Sequence, residues 1–387
     1  MKQKHIIILQ EHLPHYRVPF YKKLHELLNA ADIRLDLIYD PNTAPNLIKG
    51  SLEWAIPVPI RRFGKVAWQP VINIVSDADL VIAPQEMKYL APLVIQCKRA
   101  LTGRRFALWG HGRDFQTQDR YSFTERLKSS VSRHAHWWFA YNHLSAQLVK
   151  GLGYPGERVT EVMNAIDTDF LIKTRQRVSP EQLIALKKQL GIRSENIGIY
   201  TGGLYAEKRL NFLLAAAARI RREIPDFHLI IIGSGPESGI IQNAVCDWIH
   251  YPGPKDDEEK IPYWMIAKVL LMPGTVGLVI LDSFALGVPL ITTAAALHSP
   301  EIEYLQNGKT GIIVPAPDLA NGYALAVVEL LRNPVRLRQI AQQAEEEAKR
   351  YTILNMAERF SGGVLKALKA PVYTGFRLLD FLRKTVS

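Results

Sequence analysis

The chain has 387 residues, 48% of them hydrophobic and 22% charged, which suits two folded domains of about 150 to 200 residues each and is ordinary for a globular protein with a large core. Its two cysteines, Cys97 and Cys246, exclude a disulfide framework and fit a reducing compartment. The net charge of +11 is uneven: residues 1–172 carry 22 Lys and Arg against 16 Asp and Glu, residues 173–358 balance at 20 each, and residues 359–387 carry six against one.

The chain opens with two lysines and the apolar run "HIIIL" (5–9), which Gln10, Glu11 and His12 cut short. A secretory core needs about 7 to 15 apolar residues, so the run reads as a first strand. Further strands are predicted at 35–40, 79–84, 106–110 and 136–142, with helices over "VPFYKKLHELLNAA" and "SFTERLKSSVSRHA" between them. A polar stretch, "KTRQRVSPEQLIALKKQLGIRSEN", carries no strand signal and reads as containing a linker. A second set of strands follows at 197–203, 227–235, 249–253, 269–274, 289–294 and 310–315. The weakly charged run from Val269 to Pro300 holds only Asp282, but Pro273, Gly274, Gly287 and Pro289 break it, so it reads as buried α/β structure rather than a membrane span.

Strands alternating with helices predict parallel, doubly wound sheets. The expectation is an α/β chain of two tandem Rossmann-like domains facing a cleft, with domains at 1–172 and 173–358. The basic segment 359–387, with Leu378, Leu379, Leu382 and Val386 at helical spacing, is expected to pack back on the first domain. Ligands of such sheets bind at the carboxyl ends of the strands. The positive charge suits nucleic acid, an anionic membrane surface or an anionic substrate. No RNP-like, helix-turn-helix or zinc-finger pattern accompanies it, so nucleic acid is not expected.

Several loops carry residues suited to an anionic ligand. In "GGLYAEKR", Gly202 and Gly203 end a strand and let backbone approach a ligand, and Lys208 with Arg209 enters a helix whose N-terminus favours an anion. "GSGPE" is a Gly-rich turn in which Gly233, Gly235 and Pro236 shape a wall. Gly277, Leu278 and Val279 sit where a loop becomes a helix, their N–H groups available to phosphate or sugar hydroxyls, and Asp282 follows one turn later. In the first half, His111 stands at a strand end between Gly110 and Gly112, and Glu11, His15 and Arg17 occupy the first βα loop, where Arg17 suits an anionic group. The triplets "DAD" (77–79) and "DTD" (167–169) read as turn and cap aspartates, and no metal or other cofactor is expected.

The stretches "GGLYAEKRL", "IIGSGPE", "PGTVGLVILDSFALGVPLITT" and "EIEYLQNGKTGIIV" resemble, in order and spacing, the nucleotide-sugar half of retaining glycosyltransferases of family 4 with the GT-B fold. "HYRVPFYKKL", "WGHGRD" and "NAIDTDF" resemble the acceptor half. The resemblance implies that Lys208 contacts the donor diphosphate, that His111 contacts the donor sugar and that Asp282 takes the place of the second of two glutamates, the one on the ribose. It implies Glu303, or Glu301 two residues before it, as a donor-side acid. Two positions depart from the pattern: Gly203 stands where an arginine is usual, with Arg209 as the compensating cation, and Gly274 stands where the first glutamate is usual.

The implied function is metal-independent, retaining sugar transfer from a nucleotide-diphosphate donor to a glycan or lipid-linked acceptor, in surface polysaccharide or lipopolysaccharide assembly. The basic segments add an expectation of a cytoplasmic protein attached peripherally to the inner membrane face. Three alternatives follow from the same residues: a GT-B-like protein that binds without turnover, which Gly203 and Gly274 favour; a nucleotide-sugar epimerase; and a basic nucleic-acid-binding module.

Overall fold

A computed structural model describes residues 3–43, 52–86, 88–112, 133–294, 297–315 and 320–373. The chain divides into two units, one joining the described residues up to Ile166 with those from Ile353 onward, the other spanning Asp167–Thr352. The joints lie a few residues before those read from charge and composition.

The first unit contains β1 (Lys4–Gln10), α1 (Val18–Ala30), β2 (Ile33–Tyr39), β3 (Ala55–Pro57), β4 (Arg61–Phe63), β5 (Val66–Trp68) and β6 (Leu80–Pro84). It continues through α2 (Leu90–Leu101), β7 (Arg105–Gly110), β8 (Trp137–Ala140), α3 (His143–Gly151) and β9 (Val159–Glu161). Seven of these strands form a parallel sheet in the order β3-β2-β1-β6-β7-β8-β9. Central strands of such a sheet are covered on both faces and must be apolar throughout, and Ile6, Ile7 and Ile8 of β1 are all fully buried. Helix α1 starts with Pro19 in its first turn and buries Phe20, Leu24 and Leu28, a four-residue repeat that keeps one face on the sheet. Strands β4 and β5 stand apart as an antiparallel hairpin.

The second unit opens with α4 (Thr168–Arg177) and α5 (Pro180–Gln189). These occupy the stretch read as containing a linker. Local caps make it helical: Asp167 accepts from Phe170 N–H, and Ser179 forms a reciprocal capping box with Gln182. Then follow β10 (Ile197–Thr201), α6 (Leu210–Glu223), β11 (His228–Ile232), α7 (Ser238–Gln242), β12 (Ile249–Gly253), α8 (Ile261–Ile266) and β13 (Val269–Leu271). The unit ends with α9 (Val279–Leu286), β14 (Leu290–Thr293), β15 (Gly311–Val314), α10 (Ala320–Arg332) and α11 (Pro334–Ala348). Its parallel sheet runs β12-β11-β10-β13-β14-β15.

Both sheets reverse strand order once, between β1 and β6 and between β10 and β13. Loops on either side of such a reversal leave in opposite directions and open a crevice at the carboxyl ends. The loops after β10 and β13, and those after β1 and β6, are therefore where each unit is built to hold a ligand.

Helix α12 (Ile353–Lys369) returns to the first unit and packs on α1. Phe360 stacks on Phe139 with ring centroids 4.2 Å apart and meets Phe20 edge-on. The chain thus packs back on its first half through residues before the leucine repeat at 378–386, which lies outside the described residues, as does most of "SFTERLKSSVSRHA". Among the described residues no helix is long and apolar enough to cross a membrane.

Two adjacent glycines in α12 test this packing with opposite signs. A Cβ on Gly363 would lie 2.5 Å from Thr160 Oγ1 and 2.8 Å from the Phe139 ring, whereas one on Gly362 meets nothing within 4 Å. Gly363→Ala is expected to destabilise the first unit by about 1–3 kcal/mol through overpacking. Gly362→Ala is expected to stabilise it by about 0.5–1 kcal/mol through helix propensity. Urea midpoints of the two variants check both signs.

Candidate functional site

In the second unit, the loops after β10 and β11 interlock backbone against backbone. Gly202 and Gly233 both have φ of +149°, and a Cβ on Gly233 would lie 1.9 Å from the Gly202 carbonyl oxygen. A Cβ on Gly235 would lie 2.4 Å from Leu204 O, and Leu204 N–H donates to Ser234 O. Glycine is the residue these approaches admit. Tyr205 lays its ring over Gly203, where an added Cβ would come within 2.0 Å of it, and Tyr200 OH donates to Gly203 O.

The chain then makes a 3-10 turn, Ala206–Lys208, and turns into α6 through Arg209, which has left-handed φ of 57°. This turn crosses the loop after β13. Thr275 N–H donates to Glu207 O at 2.9 Å, and the Lys208 ammonium donates to Thr275 O. A Cβ on Gly274 would lie 2.3 Å from Glu207 O and 2.5 Å from Lys208 Cα. The position of the absent glutamate is therefore filled by the backbone that carries Lys208. Burial pushes the Lys208 pKa down, with Glu207 opposing. Arg209 reaches Thr293 Oγ1 at 3.3 Å, and that hydroxyl donates to Pro273 O, so both cations are tied to the β13 loop.

The far side of this loop is held by His298, which the sequence did not single out. Its Nδ1 accepts from Val276 N–H at 3.1 Å and its Nε2–H donates to Thr293 O at 2.8 Å. Beyond it Gly277, Leu278 and Val279 enter α9, whose N-terminus has no side-chain cap; the space above Gly277 is open except for Ser299 Oγ at 3.6 Å. An uncapped helix start beside a half-buried lysine is a place where an anion is favoured.

Asp282 lies in the next turn and is buried, with the Lys260 ammonium 2.7 Å from its Oδ1. Lys260 also donates to Asp257 at 2.7 Å. Burial opposes the Lys260 charge, but Asp282 and Asp257 outweigh it and raise its pKa above the usual lysine range. Burial pushes the Asp282 carboxyl up, and the lysine charge acts against it. Lys260 is the second residue that sequence reading missed. Glu301 is buried and Glu303 half-buried in the 3-10 turn Pro300–Tyr304 that follows His298.

In the first unit the corresponding loops gather Glu11, Arg17 and His111. Glu11 is buried, and desolvation raises its pKa to about 8, with the nearby Glu86 adding to the rise. Arg17 is buried among rings, its guanidinium 5.4 Å from the centroids of Tyr16 and Trp109 and 5.7 Å from that of Tyr141, with Nη1 on Met356 Sδ at 3.6 Å. No carboxylate among the described residues lies within ion-pairing distance of it. His111 meets Tyr141 edge-on at 4.1 Å, and His15 is exposed at the rim. The two aspartate triplets act in the scaffold: Asp79 accepts from His5 N–H and Lys4, and Asp167 caps α4.

Residues 195–333 match the family model for glycosyl transferases group 1. Among curated proteins the chain is similar to the exopolysaccharide phosphotransferase SCO2592 of Streptomyces coelicolor, 24% identical over 53% of this chain and 20% of that one. It is also similar to the putative glycosyltransferase EpsD of Bacillus subtilis, 23% identical over 61% of this chain and 60% of that one. The matches therefore span only part of these relatives' lengths. The fold is that of Anabaena Alr3699/HepE, solved in complex with UDP: the TM-score is 0.74 at 16% identity, over 94% of this chain and 99% of that one. The fold is thus the GT-B type that the motifs implied.

Two measurements follow. Gly274→Glu is expected to lower the stability of the second unit by about 1–3 kcal/mol, because the side chain has to displace backbone; a urea midpoint at or above that of the parent would contradict this. For Glu11, the folded pKa of about 8 lies above the ordinary 4.5. The unfolded chain therefore loses this proton first, and stability falls as pH climbs from about 5 to 8. Glu11→Gln is expected to remove that slope, read from denaturant midpoints at several pH values.

Proposed function

We propose that this chain, whose residues 195–333 form a glycosyl transferases group 1 domain, transfers a sugar from a nucleotide-diphosphate donor to a glycan or lipid-linked acceptor in polysaccharide biosynthesis. One observation carries the reading: a half-buried lysine, Lys208, tied to the loop that leads into the uncapped start of α9, at the order reversal of a doubly wound sheet. On this reading the diphosphate lies against Lys208, Arg209 and the amides of Gly277, Leu278 and Val279. Gly202, Gly203 and Gly235 form the wall beside it, Asp282 faces the ribose, and Glu303 the donor sugar. The UDP bound to Alr3699/HepE supports a nucleotide ligand for this fold.

The reaction needs no protein nucleophile. The acceptor hydroxyl attacks the anomeric carbon on the face that the diphosphate leaves, the bond from that carbon to the phosphate oxygen breaks, and the departing phosphate takes the hydroxyl proton. Configuration is retained. Charge growing on the diphosphate is met by fixed groups, a lysine and helix amides. These cations do the neutralising a metal ion does elsewhere, so transfer proceeds without one.

The acceptor belongs to the first unit. Among the described residues the buried Arg17 guanidinium is faced by rings and a thioether and by no carboxylate, a charge that an acceptor phosphate would satisfy. Arg17, Glu11 and His15 are its proposed contacts, and His111 that of the transferred sugar. A second reading, binding without turnover, is favoured by the commitment of Asp282 to Lys260.

Calorimetric titration with UDP, GDP and ADP in the presence of a chelator tests the site. One nucleotide is expected to bind, and Lys208→Ala to weaken it roughly 10- to 100-fold, the worth of a hydrogen bond to a charged group. Asp282→Ala is expected to weaken the nucleoside diphosphate while leaving pyrophosphate unaffected. Binding of none of the three sinks the donor site. Binding without donor hydrolysis or transfer favours the second reading.

A further inference from the structure

The hairpin β4–β5 contributes nothing to either sheet, yet it is held firmly. Ala67 N–H donates to Lys88 O at 2.8 Å, and Ile60, Ala67 and Tyr89 bury one another beneath it. Above that base, six consecutive residues, Arg61 to Val66, are all exposed. They turn through Gly64, whose φ of 58° suits the left-handed turn position. Phe63, next to that turn, is 61% exposed.

The Phe63 ring at this tip leaves apolar area in water and packs into neither sheet. Three cations, Arg61, Arg62 and Lys65, surround one aromatic ring within five residues. None of the three pairs with a carboxylate among the described residues, although the neighbouring Lys88 pairs with Glu86 at 2.6 Å. The apolar surface continues on α2, which begins one residue after Tyr89. Leu90, Val94 and Leu101 are exposed at spacings of four and seven, which places them on one face, and Leu101 is 69% exposed. Lys98 stands exposed beside them.

We infer that the β4–β5 tip and the outer face of α2 form a membrane-docking surface for anionic lipid. Phe63 enters the headgroup boundary, where an aromatic ring is favoured, while Arg61, Arg62 and Lys65 meet lipid phosphates. The charge pattern selects this occupant: cations unpaired and interleaved with apolar groups suit a surface that is anionic outside and apolar within. This assignment stands apart from sugar transfer and concerns where the chain sits, so it survives or fails independently of the donor site.

The test is flotation of the full chain with vesicles of phosphatidylcholine alone or mixed with phosphatidylglycerol, at low and high salt. The parent is expected to float only with the anionic vesicles, and less so at high salt. Each cation near such a surface contributes about 1 kcal/mol, so partitioning should fall roughly fivefold per charge removed. For the combined Arg61→Gln, Arg62→Gln and Lys65→Gln variant the fall should be about a hundredfold. Arg336→Gln with Arg338→Gln, exposed cations on α11, should change nothing. These residues lie on the surface, so thermal midpoints should not move. A polarity-sensitive dye on Phe63→Cys, with Cys97→Ser and Cys246→Ser, should report an apolar setting on anionic vesicles only. The inference is overturned if the parent does not float, or if the triple variant floats as well as the parent. It is equally overturned if the dye responds to protein concentration without vesicles, which would make the occupant a second copy.

Discussion

The candidate donor site depends on how closely backbone approaches backbone at the carboxyl ends of β10, β11 and β13. Three loops meet there within distances that leave no room for side chains: Gly233 against Gly202, Gly235 against Leu204, and Gly274 against Glu207 and Lys208. A dense knot of peptide groups is rigid, and rigidity lets the Lys208 ammonium and the α9 amides hold fixed directions without reorganising around a ligand. The glycines act first as packing residues. Their service to a ligand is indirect, through the loops they allow to cross.

Charge is handled in three ways within this molecule. Lys260 is neutralised by Asp282 and Asp257 and locks α8 to α9. Among the described residues Lys208 donates to a backbone carbonyl and forms no ion pair, with Glu207 acting on its charge only from a distance. Arg17 has the faces of three rings and a sulfur, which stabilise a cation weakly. Burying a charge without a counter-charge costs stability. Arg17, which follows β1 at the strand reversal of the first sheet, concentrates that cost where ligands of such sheets bind.

Much of this was legible in the sequence for a simple reason. Strands covered on both faces must be apolar along their whole length, so β1, β6, β10, β11 and β13 stood out as short runs bounded by turn residues. The β4–β5 hairpin did not, because two three-residue strands with an exposed, charged tip carry neither an apolar run nor a clean alternation. The two helices over 168–189 were not singled out since they are mostly polar, and only the caps at Asp167 and Ser179 mark them. Lys260 sits in "DDEEK" and looks like one more solvated charge; nothing local says that it turns inward to Asp282. His298 was hidden likewise, since its partners lie 5 and 22 residues away.

The absent carboxylate at Gly274 shows best what sequence leaves open. Read alone, a glycine in place of an acid suggests decay. In the fold, the same backbone crossing excludes a side chain at Gly274 and delivers Lys208 to Thr275, so losing the acid and fixing the cation are one arrangement. Tyr205 over Gly203 follows the same pattern, a ring filling the place of an arginine while Arg209 reaches Thr293 from the next turn. Decay would leave gaps, but both positions are occupied by groups that make specific contacts. On the proposed reading, removing a negative charge from beside the diphosphate strengthens the net positive field of Lys208 and Arg209. The fixed cations then carry alone a task that the family pattern divides between a basic pair and an acid.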